Sequence, residues 1–136
     1  VCQEVCPWNR HAPGSVEPAL QPRDGEATLD LSELLTLDAA GFRDRFQGSP
    51  ILRAKRRGLL RSAAIALGNR PEASRLDVLV EALADEEPVV RGAAAWALGR
   101  WMEAGVAAEA ARAALQARLE EEADQGVKDE LKAALA

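Results

Sequence analysis

The stretch Arg61-Ser-Ala-Ala-Ile-Ala-Leu-Gly68 returns 31 residues later as Gly92-Ala-Ala-Ala-Trp-Ala-Leu-Gly99. Self-similarity at a period of roughly 20–50 residues marks a stacked-repeat architecture, in which no single unit can bury its apolar face alone. A weaker copy closes the chain: Val127-Lys128 through Ala134-Leu135-Ala136 matches Val90-Arg91 through Ala97-Leu98-Gly99 at a shift of 37. Each copy reads as the second helix of a pair, with an amphipathic helix ahead of it at 72–84 and 106–119. Alanine at successive inward positions lets neighbouring helices approach closely, so stacked pairs bury a continuous core. Composition agrees: 48% of residues are hydrophobic but only 4% aromatic, with no Tyr, which favours close-packed helices over sheets. An all-α fold is expected, with Gly68 and Gly99 at left-handed positions just past the ends of their helices.

Ahead of the repeats, residues 1–29 carry Pro7, Pro13, Pro18 and Pro22 and no helical period, so they read as an extended lead. Asp30-Leu31-Ser32-Glu33 has capping-box spacing, with the Asp accepting from an early N–H and the Glu reaching back, just before Leu34 and Leu35. Asp38 starts a second helix, 39 to about 47, whose Phe42 and Phe46 share a face. Gly48-Ser49-Pro50 then ends that helix and opens the next, with Ser49 as N-cap and Pro50 at the first helical position.

At 136 residues the chain can bury a core without disulfides or metal. It has no leader and no apolar run near the roughly 20 residues that span a bilayer, so a soluble, cytoplasmic protein without a membrane partner is expected. A start at Val1, without Met and one residue before a cysteine motif, predicts the C-terminal portion of something longer.

The net charge of −5 excludes a surface coated in positive charge, yet it conceals a local patch. Between Phe42 and Arg61 stand Arg43, Arg45, Arg53, Lys55, Arg56, Arg57 and Arg61 against Asp44 alone, a balance of +6 that leaves −11 elsewhere. On one helix Arg53, Arg57 and Arg61 fall in a stripe about 80° wide, while Lys55 and Arg56 lie off it, Arg56 nearer the apolar side. Arginine suits phosphate because its planar fork donates two hydrogen bonds and keeps its charge. A solvated face, or pairing with acids on neighbouring helices, satisfies the same residues. The run Glu120-Glu121-Glu122 repels phosphate, so a nucleic-acid face should lie away from it.

Asp85-Glu-Glu-Pro-Val-Val-Arg91-Gly-Ala-Ala-Ala-Trp-Ala-Leu-Gly99 resembles the HEAT family, in which an Asp-led turn, a Val-Arg step and an Ala-rich second helix recur. The resemblance covers about 50–136 and implies an α–α superhelix. It speaks to architecture, since such repeats serve many unrelated binding tasks.

Both cysteines stand at the start, in Cys2-x3-Cys6-Pro7. That spacing matches the last two positions of the ferredoxin run C-x2-C-x2-C-x3-C-P, and soft thiolates suit iron. One cluster takes four ligands and only two thiols exist here. Packing residues, a disulfide or part of a zinc site that includes His11 remain open on spacing alone, although a structural disulfide does not suit an intracellular protein.

The longer string Cys2-Gln-Glu-Val-Cys6-Pro-Trp-Asn9, followed by Gly48-Ser49-Pro50, Arg53-Ala-Lys-Arg-Arg57 and Arg61-Ser-Ala-Ala-Ile-Ala-Leu-Gly-Asn69, resembles the C-terminal part of the epoxyqueuosine reductase family over essentially the whole chain. The resemblance implies an iron–sulfur, cobalamin-dependent parent that reduces epoxyqueuosine at the tRNA wobble position. It also implies two [4Fe-4S] clusters, with Cys2 and Cys6 as metal ligands in that parent, and helical repeats that grip the anticodon region of tRNA through Arg53, Arg57 and Arg61. Residues 1–29 would then be the end of a ferredoxin-like domain plus linker, and 30–136 the HEAT-like domain. The upstream cysteines are absent and Ser62 stands where Asn is expected. The chain by itself is therefore expected to be catalytically inert and to assemble no cluster. A HEAT-like protein-interaction scaffold, or the C-terminal part of another ferredoxin-type oxidoreductase, is the alternative. Trp8 is expected to cover the cluster or a domain junction, and Trp96 and Trp101 to pack in the core or a groove. His11 receives no role.

Overall fold

The computed structural model describes residues 5–9, 11 and 29–136; Cys2 and most of the expected lead lie outside them. Among the described residues there are seven α-helices and no strand. They are α1 (Leu31–Leu35), α2 (Ala39–Phe46), α3 (Lys55–Gly68), α4 (Leu76–Ala82), α5 (Pro88–Glu103), α6 (Ala108–Glu121) and α7 (Gln125–Leu135). Short 3-10 turns cover Pro7–Asn9, Pro50–Ala54 and Ala73–Arg75. The second helices α3, α5 and α7 pack side by side as one layer, and α1, α4 and α6 form the layer behind them.

Local chemistry accounts for most helix starts. The Asp30 carboxylate accepts from Ser32 N–H at 2.7 Å and Glu33 N–H at 3.3 Å, and Asp38 accepts from Gly41 N–H at 2.7 Å. Glu33 faces Arg45 at 3.5 Å, where a capping box would have turned it back on its own helix. Phe42 and Phe46 are buried with ring centroids 5.3 Å apart. Ser49 caps as expected, accepting from Ile51 N–H at 3.2 Å, but Pro50 opens a 3-10 turn, and α3 begins only at Lys55. Residues 73–75 are likewise a 3-10 turn where helix was expected, so α4 is shorter than the amphipathic pattern predicts.

The two glycines of the repeat correct the expectation about helix ends. Neither has a positive φ. Gly68 is the last helical residue of α3, followed by Asn69, whose side-chain amide donates to the Ile65 carbonyl at 3.1 Å. Gly99 lies inside α5, which runs on so that Trp101 is fully buried and donates its indole N–H to the Leu67 carbonyl at 2.9 Å. Both glycines sit where second helices cross. A Cβ on Gly68 would meet Trp96 Cζ3 at 2.7 Å and Ala97 Cα at 2.9 Å; one on Gly99 would meet Ala134 Cβ at 2.9 Å. Ala97 and Ala134 are equivalent across the 37-residue shift, so one Gly-on-Ala contact is used at both interfaces. The left-handed glycine that ends α5 is Gly105 (φ +70°), where Gly105 N–H donates to Met102 and Val106 N–H to Trp101, closing α5 with a Schellman motif.

Two arginines tie the repeats together at their turns, as the rungs of a ladder. Arg56 donates through Nε to the Leu37 carbonyl at 2.6 Å and forks onto both carboxylate oxygens of Asp85 at 3.1 and 2.5 Å. Arg91, only 8% exposed, donates to the Asp85 and Glu86 carbonyls and forks onto Glu122 at 2.7 and 2.8 Å. Glu122 is buried and also accepts from Arg118 and from the Ala123 and Asp124 N–H groups. The expected acidic run is thus broken: Glu120 and Glu121 are exposed, and Glu122 is an interior anchor.

Gly68→Ala is expected to destabilise the fold by about 1–3 kcal/mol, since backbone must give way, whereas Gly92→Ala, where a Cβ meets nothing within 4 Å, should stabilise it by up to about 1 kcal/mol. Urea unfolding followed by circular dichroism measures both. Arg91→Ala takes the forked donor from a buried carboxylate, leaving it Arg118 and two N–H groups, and should cost about 3 kcal/mol. The hydrogen bonds from Arg91 foremost, then those from the Asp124 N–H and Arg118, outweigh burial and hold the Glu122 carboxyl well below its ordinary 4.5. A carboxyl lowered in the folded state stabilises above its unfolded value, and that stabilisation is lost as pH falls. The unfolding midpoint should therefore drop on acidification below 4.5, and Glu122→Gln should flatten that part of the profile.

Candidate nucleic-acid interface

The arginine ladder decides which cations remain available. Of the seven basic residues between Phe42 and Arg61, Arg45 faces Glu33 and Arg56 is held by Asp85 and Glu86. Among the described residues Arg43, Arg53, Lys55, Arg57 and Arg61 make no ion pair, and all five are exposed. Arg56, which lies off the stripe, is held between the Leu37 carbonyl and the Asp85 carboxylate.

The stripe itself is only partly sustained. Arg57 and Arg61 stand one turn apart on α3, but Arg53 belongs to the preceding 3-10 turn. Between them Lys55 has φ 58°, in the left-handed region that favours glycine, so the backbone changes direction and the regular helical step does not run from Arg53 to Arg57. Ser62 bonds back to the Gly58 carbonyl at 2.9 Å and adds nothing to the ridge.

Arg61 also stands at the edge of a groove of about 490 Å³ between α3, α5 and α7. Ile65, Val89, Trp96 and Val127 give it an apolar lining, and Glu130 on α7 faces it as well. Trp96 is half-buried here, whereas Trp101 is in the core, so the two indoles take the groove and core places expected of them. The groove was not foreseen from the sequence. Its one sequence signal is Gly92, a glycine inside a helix with no turn, cap or crossing to explain it.

Cys6 is half-buried directly before the Pro7–Asn9 turn, Trp8 is 90% exposed, and His11 is exposed. Cys2 lies outside the described residues. A four-thiolate iron–sulfur site takes four cysteines, and this chain contains two in all, so its own thiols do not make up a cluster's ligand set. Among the described residues no group of three or more His, Cys, Asp or Glu side chains is arranged to hold a metal ion. Nor is any described helix long and apolar enough to cross a membrane.

Comparison with known proteins adds to this geometry. A family model described as HEAT repeats matches residues 50–136, the span over which the Val-Arg step and the Ala-rich second helices recur. An epoxyqueuosine reductase of Xanthomonas campestris is 35% identical over 100 residues, covering 73% of this chain and 28% of that protein. The epoxyqueuosine reductase of Bacillus subtilis is 32% identical over 131 residues, covering 96% of this chain and 33% of its own length. A crystal structure of an epoxyqueuosine reductase with a tRNA-Tyr epoxyqueuosine-modified stem loop superposes with a TM-score of 0.86 at 30% identity, over 98% of this chain and 35% of that one. The chain spans about a third of the length of these relatives. It therefore belongs to the HEAT-repeat family, and its described fold and its sequence resemble one portion of the epoxyqueuosine reductases it matches.

Proposed function

We propose that this chain is the tRNA-gripping helical-repeat portion of an epoxyqueuosine reductase, an oxidoreductase of queuosine biosynthesis acting in the cytoplasm. The observation that carries the proposal is the likeness to a reductase crystallised with a tRNA stem loop, which extends over 98% of this chain. Arg57 and Arg61 on α3, with Arg53 from the turn before it, are the phosphate contacts: they are exposed, and among the described residues no carboxylate neutralises them. Their forks donate to phosphate oxygens of the anticodon region and fix position without reading sequence. On this reading Cys2 and Cys6 are two thiolate ligands of [4Fe-4S] clusters completed by the remainder of the enzyme. That remainder also holds cobalamin and the catalytic centre, so the repeats by themselves are inert.

Reversing all three charges, Arg53→Glu, Arg57→Glu and Arg61→Glu, should weaken binding of a tRNA anticodon stem loop at least tenfold by fluorescence anisotropy. The salt dependence of binding should become shallower by about 0.7–0.9 in log–log slope for each phosphate no longer engaged, with the helical circular dichroism unchanged. Unaltered binding removes the grip and returns the repeats to a polypeptide-binding scaffold.

A further inference from the structure

Among the glycines of the second helices, Gly68 and Gly99 are explained by helix crossing. Gly92 is not: it sits inside α5 with ordinary helical backbone, and a Cβ there would meet nothing within 4 Å. Glycine in a helix interior is unfavourable relative to alanine, and neither packing nor a turn requires it at this point. What its missing side chain does is keep open the groove between α3, α5 and α7.

Trp96 follows four residues on along the same face of α5, so the bare backbone of Gly92 and the indole together leave a slot suited to a flat group. Ile65 of α3 and Val127 of α7 wall it. The polar groups at its edges are arranged by sign. Arg61, exposed and without an ion pair among the described residues, comes from α3; Asp124 and Glu130 come from the α7 side. Asp124 is engaged by its own helix, accepting from Val127 N–H at 3.0 Å. The Glu130 carboxylate makes no hydrogen bond or ion pair among the described residues. The groove thus brings together a cation from α3, an indole from α5 and an acceptor from α7.

A nucleotide has the complementary order: an anionic phosphate, a planar face, and, in adenine, guanine and cytosine, an amino donor on the far edge. We infer that this groove takes one unpaired, amino-bearing nucleobase of the bound RNA. The base stacks at Trp96 over Gly92, its phosphate rests on Arg61 and its amino group donates to the Glu130 carboxylate. This rests on the RNA-binding reading above and adds to it a site that distinguishes unpaired RNA from duplex. The ridge of Arg57 and Arg61 leads directly to the groove, which favours a polyanion over a polypeptide as the occupant.

The test uses the 136-residue chain and two labelled probes, an RNA hairpin with an adenosine loop and a blunt RNA duplex of the same stem, measured by anisotropy at low salt. The wild-type protein should bind the hairpin more tightly. Gly92→Leu fills the slot from a position where no neighbour is met and should abolish that preference, an effect of about tenfold for the absence of a stacked base. Its duplex binding and melting temperature should not fall. Because Trp96 also touches the α3 crossing at Gly68, Glu130→Ala serves as the second variant: it should reduce the preference for an adenosine loop over a uridine loop. A Gly92→Leu protein that keeps the full hairpin preference overturns the groove assignment and leaves the arginine ridge standing. Failure of the wild-type chain to bind either probe overturns both. Capture of a polylysine peptide that is blocked by Gly92→Leu, with no preference between the RNAs, overturns the nucleobase and makes the groove a polypeptide site.

Discussion

The arrangement depends on two guanidinium groups that reach from the first turn of one second helix to the turn ahead of the next. Arg56 joins the Leu37 turn to Asp85, and Arg91 joins the Asp85–Glu86 turn to Glu122. A buried ion pair adds little net stability over an apolar replacement, because desolvation offsets attraction. Its effect here is on register: a forked pair accepts one relative position of its partners. Turn carbonyls on the same arginines leave few donors unused, so successive second helices are held at a set offset.

That offset is what allows the small residues to meet. Gly68 reaches the Ala97 backbone and Gly99 reaches Ala134 only if neighbouring helices are in step; a shift by one residue would bring Leu67 or Leu98 to the contact. Close approach buries Trp101 against the Leu67 carbonyl and leaves the wider space, between α3, α5 and α7, at the other end of the crossing where Gly92 and Trp96 lie. Electrostatics and steric fit therefore act in sequence, the first setting the register and the second the spacing that shapes the groove.

Much of this was legible because it is local. The repeat, the Asp30, Asp38 and Ser49 caps and the Phe42–Phe46 pair follow from spacing of a few residues. What was not legible links residues about thirty apart. The 31-residue shift sets Arg91 opposite Leu60, not Arg56, so the sequence alignment hides the equivalence of the two arginines that the turns create. The break at Lys55 was concealed because the arginine spacing continues across it while the backbone does not. Gly68 and Gly99 looked like left-handed caps because glycine serves both such a cap and a close crossing, and only the partner helix distinguishes the two uses. In the candidate site the shared face of Arg57 and Arg61 could be read from periodicity; the place of Arg53 and the groove, assembled from three helices, could not.

The same ladder also bears on how an acidic chain could carry the proposed phosphate-binding face. With a net charge of −5, the long-range field does not attract RNA, so attraction must come from charges within about a Debye length of the contact. Glu122 and Asp85 are neutralised where they stand, by Arg91, Arg118 and Arg56, which removes two of the acids that would otherwise oppose binding. The arginines used in this way are those whose side chains reach a neighbouring turn, whereas Arg57 and Arg61, exposed on α3, make no ion pair among the described residues. Folding thus sorts a mixed sequence into paired cations that hold the repeats and unpaired ones that are left exposed on the surface. Salt should weaken the second group far more than the first, because burial shields the ladder and exposure leaves the ridge screened.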